Sequence, residues 1–189
     1  MTTKTLQDGI SQGRLDQCVE LLLSYSATVL TSRLLAEVTG GEMTPSQLEA
    51  LIFLQRHNGC SAKALAEGLH ISIPSATRLA DRLVRKGLVD RHESGVDRRL
   101  VMLTVTTSGV DALAQIQCAR MARLEDALQC LPASDRETLL TLLEQLLRAA
   151  LRDERTVQDC CLHCGTDHTK ECVVNEAHMA LLGTPIARP

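Results

Sequence analysis

Apolar residues recur three and four positions apart along most of the chain, which is the spacing of amphipathic helices. One such stretch covers residues 13–38 and another runs from Pro45 to about His57, and each is followed by glycine. Two shorter stretches, 62–68 and 73–86, each begin after a serine that can cap a helix. Because the turn between these two helices is only three or four residues long, they are predicted to form a helix-turn-helix.

After Gly87 the apolar positions alternate instead, as they do in strands. Leu88-Val89 and residues 100–105 are predicted to pair, with the polar segment 93–99 as the loop between them. A short hairpin of this kind directly after a helix-turn-helix is a β-wing. The central part of the chain is therefore predicted to be a winged helix-turn-helix.

Long helices are predicted to flank this unit. Residues 108–130 repeat the helical spacing, and a capping box of Ser134 and Glu137 is predicted to open a last long helix that runs to about Glu154. The apolar face of that helix is wide, so with the first helix it is predicted to form the interface of a homodimer. The fold class is thus mainly α, a winged helix-turn-helix with a short β-wing and long helices that form a dimerisation domain. The predicted segments are a flexible N-terminus (1–12), a dimerisation helix (13–43), the winged helix-turn-helix (44–105), further dimerisation helices (106–154), a Cys-rich metal-binding element (155–182) and a disordered tail (183–189).

Composition narrows the choice of partner. The net charge of the chain is −3, but residues 61–105 hold eight Lys and Arg against five Asp and Glu, a local excess of +3. Tyr25 and Phe53 are the only aromatic residues, whereas proteins that bind single strands or RNA stack bases on aromatic rings. Double-stranded DNA is therefore the predicted partner. The sequence contains neither an 18-residue apolar run nor a signal peptide, so a cytoplasmic protein without a membrane partner is expected.

The second helix of the predicted helix-turn-helix carries hydroxyl and basic side chains opposite its apolar residues. Arg78 is the best candidate for a base contact, because a guanidinium can donate two hydrogen bonds to one guanine. An arginine at the tip of the wing can enter a narrow minor groove. Charged residues on such a helix can also be merely solvated, and Asp97 can be a simple turn residue. The predicted DNA-binding residues are Ser72, Ser75, Thr77, Arg78, Arg82, Asp97, Arg98 and Arg99.

Two motifs resemble the MarR family of winged-helix transcriptional regulators, and the resemblance covers roughly residues 15–152. They are Thr-Pro-Ser-Gln-Leu at 44–48 and LVRKGLVDRHESGVDRRLVMLTVTTSG at 83–109, above all the Asp-Arg-Arg of the wing. The resemblance implies a homodimer on a palindromic operator, with the recognition helix in the major groove and the wing in the minor groove. It also implies that Asp97 holds a wing arginine in place. An effector, whether a small molecule, a metal or an oxidant, is a further expected partner.

Eight cysteines are present, and four of them fall within thirteen positions near the C-terminus. A disulfide framework is not expected in a cytoplasmic protein. The four scattered cysteines are predicted to be small core residues. They are Cys18, Cys60, Cys118 and Cys130.

The clustered cysteines are predicted to bind a metal. Cys161 and Cys164, on one turn followed by glycine, are typical of a metal knuckle, and a helix over 167–182 is predicted to place His168 and Cys172 on one face. Zinc is favoured over an iron–sulfur cluster held by four thiolates. A third alternative is a thiol switch without metal, in which the cysteines oxidise to disulfides. The candidate ligands are Cys160, Cys161, Cys164, His168 and Cys172.

These patterns together predict a MarR-like DNA-binding regulator, a repressor that responds to metal or redox state through the Cys-rich element. The sequence contains no Gly-rich phosphate loop, no nucleophile elbow and no paired carboxylates, so an enzyme is not expected. Two alternatives stay open. One is a winged helix used for protein–protein contacts, and the other is a thiol-based redox regulator without metal.

Overall fold

A computed structural model describes residues 3–57, 59–93, 100–164 and 171–186, with side chains from residue 12 onward except those of 162 and 163. The described residues form mostly helices and one three-stranded antiparallel sheet, so the predicted fold class is confirmed. The elements are α1 (Thr3–Tyr25), a π-helical segment (Ser26–Arg33), α2 (Leu34–Thr39), α3 (Pro45–Arg56), β1 (Cys60–Ser61), α4 (Ala62–Gly68), α5 (Ile73–Arg85), β2 (Val89–Glu93), β3 (Val101–Val105), α6 (Thr107–Leu128), α7 (Ala133–Ala150), α8 (Glu154–His163) and α9 (Val173–Leu182).

The chain divides into two compact units, Met1–Pro45 and Ser46–Pro189. The first unit is a nearly continuous helix that begins at Thr3, although residues 1–12 were predicted to be flexible. Its middle is wound as a π-helix, and the hydroxyls of Thr28 and Ser32 donate hydrogen bonds to backbone carbonyls of the preceding turn there. The helix ends at Gly40, whose φ of 62° is accessible to glycine at little cost.

One helical segment of the described residues, Gln12–Thr39, has the length and apolar composition that would allow it to cross a membrane. The segment is not a continuous apolar run, because it also contains charged and polar residues. The core helix of a folded protein and a signal sequence satisfy the same criterion. The exposed apolar residues of Gln12–Thr39 include Leu15, Val19, Leu21, Leu22 and Leu23.

In the second unit, α3, α4 and α5 pack around a core of leucine and alanine. Ser61 and Ser72 cap α4 and α5 as predicted, because each side-chain oxygen accepts the backbone N–H of the residue three positions on. Gly87, whose φ is 69°, follows the end of α5, and the Leu88 N–H donates a hydrogen bond to the Leu83 carbonyl at 3.0 Å. The core residues of these helices are Leu48, Ala50, Leu51, Phe53, Leu54, Leu65, Ala66, Ala76, Ala80 and Leu83.

The sheet has the order β1-β3-β2. β2 and β3 pair antiparallel from Val89 opposite Val105 to Glu93 opposite Val101, which is the predicted wing. β1 was not predicted. It consists of two residues, and Cys60 pairs with Leu103 in β3. β1 thereby connects the loop after α3 to β3 at the base of the wing.

The start of α6 is joined to the turn after α5. The Thr106 hydroxyl caps the helix, since it accepts the Gly109 N–H at 3.1 Å and donates to the Gly87 carbonyl at 2.7 Å. The Thr106 N–H donates to the Leu88 carbonyl at 3.0 Å. A Cβ on Gly109 would lie 2.3 Å from that same carbonyl oxygen. The close approach of helix and turn therefore requires glycine at this position.

The C-terminal third differs from the prediction in three respects. α7 begins at Ala133 after Pro132, and no side-chain hydrogen bond caps it, so the predicted capping box is wrong. Residues 154–163, predicted as helix end, linker and metal knuckle, form the separate helix α8, which Asp153 caps. α9 ends at Leu182 as predicted, but it begins only at Val173. It packs with α8 around Leu151, Val157 and Ala177.

Candidate nucleic-acid interface

α5 is the predicted recognition helix, and its packing separates a buried side from an exposed one. Ala76, Ala80 and Leu83 are fully buried. Ile73 was predicted to join them but is 51% exposed, because it lies in the first turn, beyond the edge of the core. The other side of α5 is therefore free to meet a partner.

The exposed side of α5 forms one wall of an open groove of about 420 Å³. Ser75, Arg78 and Arg82 lie three and four residues apart along this wall. Three of the eight predicted DNA-binding residues are thus brought together. The rest of the groove is lined by Ser46, Glu49, Leu69, Ile71 and Leu79.

Ser46 and Glu49 were missed by the sequence reasoning. Both lie in the first turns of α3; the positive end of that helix favours an anion such as phosphate, whereas the Glu49 carboxylate repels one. The motif that opens α3, Thr44-Pro45-Ser46, was predicted to belong to the MarR-like region but not to contact DNA. Because α3 stands beside α5, Ser46 also lines the groove.

Arg78 is exposed and held in a defined place. Its Nε donates a hydrogen bond to the Pro74 carbonyl at 3.2 Å. A bidentate contact with guanine can be made by the two terminal nitrogens of the guanidinium. The bond to Pro74 therefore orients the side chain without using those nitrogens.

The hydroxyls of Ser72 and Thr77 have local roles. Ser72 caps α5, and its Oγ also lies 2.9 Å from Ser75 Oγ. The Thr77 hydroxyl donates to the Ile73 carbonyl at 2.9 Å and does not line the groove. Thr77 is thus set apart from Ser75, Arg78 and Arg82.

The wing is attached to the recognition helix by an ion pair. Arg91 Nη2 on β2 lies 2.6 Å from Asp81 Oδ1 on α5. This pair links the wing to the helix, and it uses one of the basic residues counted in residues 61–105. The predicted wing-tip residues Asp97, Arg98 and Arg99 lie outside the described residues.

A second cavity, of about 430 Å³, lies between α3 and α6. Its walls are largely apolar, with Leu48, Ile52 and Leu113 among the lining residues. Arg120 also lines it, and the Nε of that arginine is buried without a hydrogen-bond partner among the described residues. The cavity can therefore admit a small apolar molecule that carries an acceptor group.

The scattered cysteines do not behave alike. Cys60 is buried as predicted, and burial raises the pKa of its thiol to about 11, so this thiol stays protonated at neutral pH. The prediction of a core position is wrong for the other three, whose side chains are exposed on helices or at a helix end. These are Cys18, Cys118 and Cys130.

The clustered cysteines do not form a metal site within the described residues. No three His, Cys, Asp or Glu side chains in that part of the chain lie close enough together to hold a metal ion. Cys160 and Cys161 are consecutive residues of a helix and so point in different directions. Cys172 precedes the first turn of α9 instead of lying within a helix, and His168 lies outside the described residues. The metal centre stays a prediction that elemental analysis of the purified chain will decide.

A helix-turn-helix followed by a paired β-wing, with polar and basic residues on the open side of its second helix, defines a winged-helix DNA-binding regulator. Residues 42–100 match the MarR family, and the chain belongs to this family. An HTH-type transcriptional regulator of Mycobacterium bovis, Mb0904, is 31% identical over 132 residues, which cover 70% of this chain and 91% of that protein.

Other proteins share the same core region. A transcriptional regulatory protein for the hcr operon of Thauera aromatica is 35% identical over 106 residues, covering 56% of this chain and 64% of that protein. The HTH-type transcriptional repressor MdtR of Bacillus subtilis is 28% identical over 113 residues, covering 60% and 73%. The crystal structure of apo MarR from E. coli superposes with a TM-score of 0.53 at 28% identity, covering 71% and 95%. The chain is therefore a transcriptional regulator and not an enzyme.

Proposed function

We propose that this regulator is a cytoplasmic homodimeric repressor that reads a palindromic DNA operator with α5. The observation that carries the proposal is the groove wall of Ser75, Arg78 and Arg82. A base-reading arginine beside a hydroxyl, on the exposed side of the second helix of a helix-turn-helix, suits the major groove of DNA. The relative MdtR is named a repressor, which supports the same direction of control here.

The recognition helix and the wing contact different parts of the DNA. Arg78 contacts bases, while Ser46 and the N-terminus of α3 hold phosphates on the groove's other wall. The wing enters the minor groove, and Asp97, Arg98 and Arg99 act there as the sequence suggests. The ion pair of Arg91 with Asp81 links the two DNA-contacting elements.

Binding to the promoter region of the protein's own gene is the test of this function. Phosphate contacts release counterions, so affinity should fall steeply with salt, with a log–log slope of about −0.9 for each phosphate contact. A gel-shift titration at several salt concentrations, with an unrelated duplex of equal length as the control, measures both slope and specificity. Salt-insensitive binding, or equal binding to both duplexes, would favour the protein–protein interaction module instead.

The proposal of a homodimer is supported by apolar side chains that are exposed in a single chain. None of the eighteen residues of α7 is buried. Leu140, Leu142, Leu146 and Leu147 are each 46–60% exposed, and α1 carries a comparable exposed set. Apolar rows of this size are rarely left in water, and a second copy of the chain can cover them.

Leu146→Glu is expected to dissociate the dimer. Loss of a buried leucine costs about 1.5–3 kcal/mol, and twofold symmetry doubles this, so the dimer should weaken roughly a hundredfold or more. Sedimentation velocity over a concentration series measures the change. Gln145→Glu, which adds the same charge at the neighbouring position of α7, is the matched control and should stay dimeric. A Leu146→Glu protein that is still dimeric at low micromolar concentration would place the interface elsewhere.

A further inference from the structure

The C-terminal part of the chain folds into a pair of helices with a core of its own. Leu151, Val157 and Ala177 are buried together there, where α8 and α9 pack against each other. The pair lies beyond the residues that match the MarR family, so it is an addition to the winged helix. Its role depends on the elements that it contacts. We call residues 151–164 and 171–186 the C-terminal hairpin.

The C-terminal hairpin is fixed to α7 on one side. Arg148 Nη2 on α7 lies 2.7 Å from Glu176 Oε2 on α9. Leu151, which directly follows α7, is part of the hairpin core. The same helix α7 carries the exposed leucines that are proposed to form the dimer interface. The hairpin is thus attached to the helix that is proposed to join the two protomers.

On its other side the C-terminal hairpin contacts the helix-turn-helix at two places. Asp159 Oδ1 on α8 lies 3.7 Å from Nε2 of His70, which is in the turn between α4 and α5. Arg56 Nη2, at the end of α3, donates a hydrogen bond to Cys164 Sγ at 3.5 Å. The DNA-binding unit is therefore connected to α7 by two routes, one through α6 and one through the hairpin.

His70 faces the hairpin, whereas its two neighbours in the chain face the groove beside α5. Leu69 and Ile71 both line that groove. His70 has a φ of 52°, a left-handed conformation that is uncommon outside glycine, and its ring is directed to Asp159 instead. The contact with the hairpin therefore holds the turn and leaves the groove open.

The recognition helix is consequently anchored at both ends. After α5, the Thr106 N–H at the start of α6 donates a hydrogen bond to the Leu88 carbonyl at 3.0 Å. Before α5, His70 contacts α8. A body attached at one point can rotate about that point, whereas a second attachment at its far end stops the rotation. The hairpin acts on the N-terminal end of α5, which is the end that reaches base edges in a helix-turn-helix.

We propose that the C-terminal hairpin fixes the direction of α5 relative to α7, and so makes the dimer selective for one spacing of the two operator half-sites. His70 and Asp159 are positioning residues, because they contact each other and act on DNA only through α5. Each recognition helix of a dimer enters its own half-site, so the distance between the helices has to match that between the half-sites. A helix that can rotate tolerates other spacings. This inference rests on the proposed homodimer and its palindromic operator.

The first test compares two duplexes that differ only in spacing. One is the fragment of the protein's own promoter region that the wild-type dimer protects from nuclease. The other has one base pair inserted at its centre, which moves the half-sites about 3.4 Å apart and turns them by about 35°. In anisotropy titrations at one salt concentration, the wild-type protein should bind the natural duplex much more tightly than the lengthened one.

His70→Gly should reduce this preference for the natural spacing. Glycine adopts the left-handed conformation of the turn at little cost, but it cannot reach Asp159. An exposed polar pair changes an equilibrium about two- to fivefold, and the dimer contains the pair twice, so the preference should fall roughly fivefold or more. A role of His70 in backbone conformation alone predicts no fall, because glycine preserves that conformation.

Asp159→Ala should reduce the preference as much as His70→Gly does. The double variant should show no further fall, since the effects of two residues that act through one contact are not additive. Gln158→Ala is the matched control, because this neighbouring side chain of α8 is exposed, and it should keep the wild-type preference.

Hydrogen exchange on the full-length protein gives a second readout that needs no DNA. Val157→Asp places a charge in the hairpin core, so exchange should rise over α8 and α9. Because the hairpin restrains the turn before α5, exchange over residues 66–75 should rise several-fold as well. Gln158→Asp adds the same charge at the exposed neighbouring position and should leave both regions unchanged.

Three results would overturn the proposal. One is raised exchange in the hairpin of Val157→Asp with unchanged exchange over residues 66–75. The others are a wild-type spacing preference in His70→Gly, and equal binding of both duplexes by the wild-type protein. If Val157→Asp does not fold, His70→Gly and Asp159→Ala decide. Absence of specific DNA binding in every form would contradict the proposed function, and exchange would still show whether the hairpin restrains the turn.

Discussion

Arg78→Ala should remove specific operator binding while leaving the dimer intact. A bidentate arginine–guanine contact contributes about 1–3 kcal/mol of discrimination, and a dimer makes it in both half-sites. The affinity for the operator should therefore fall roughly 30-fold or more. Binding to unrelated duplex DNA should fall far less, because only one cation per protomer is lost. The expected result is a large fall in the ratio of the affinity for the operator to the affinity for unrelated DNA.

The control for this experiment lies on the same helix. Arg85 is also exposed and carries the same charge, but it does not line the groove beside α5. Arg85→Ala should weaken both kinds of binding to a similar and small extent. Gel-shift or anisotropy titrations of both variants on operator and unrelated duplexes make the comparison. Equal losses for Arg78→Ala and Arg85→Ala would mean that α5 holds phosphates without reading bases.

Gly109→Ala should destabilise the fold strongly. The new methyl group would lie 2.3 Å from the Leu88 carbonyl oxygen and 2.6 Å from Val105 Cγ1, distances that real Cβ atoms do not tolerate. Relief requires α6 to move away, which breaks the 3.0 Å bond from Thr106 N–H to Leu88 and disturbs the Thr106 cap. Overpacking and a lost cap together cost about 2–4 kcal/mol. A fall in Tm of roughly 5–15 °C is expected for a chain of this size.

Ser108→Ala is the matched control for Gly109→Ala. It removes only a hydroxyl from the neighbouring exposed position of α6, and its effect should stay within about 0.5 kcal/mol. Urea denaturation at one fixed protein concentration is the measurement, because dimer stability depends on concentration. Wild-type stability in Gly109→Ala would show that α6 does not pack on the turn after α5 as described.

Local chemistry explains why the central fold could be predicted. Ser61 and Ser72 accept backbone N–H groups three residues on, and Gly87 takes the left-handed conformation, so each helix boundary depends on a residue at that boundary. The strands of the wing are adjacent in the chain and alternate in polarity. Such signals need no knowledge of distant residues.

The predictions from sequence were wrong where the local structure or the burial of a residue depends on residues elsewhere in the fold. β1 is only two residues long, and Cys60 becomes a strand only because Leu103, 43 positions later, offers a free edge. Ser134 was predicted to cap α7, but Pro132 permits an earlier start at Ala133. Ile73 has the right spacing for the core, yet it projects beyond the core's edge. The spacing of apolar residues identifies which side of a helix is apolar. It does not tell how much of that side is covered by neighbouring helices and strands.

The sequence by itself determined the class of this protein and its candidate reading residue. Helix caps, the alternating wing and the Asp-Arg-Arg motif are local features, and they indicate a winged helix with Arg78 as the predicted base-contacting residue. Tertiary structure alone decided which residues share the groove with Arg78, and that Cys164 lies against Arg56, 108 positions away in the chain. The physical reason is that side-chain direction follows from local backbone geometry, whereas a neighbour across space depends on how whole helices pack.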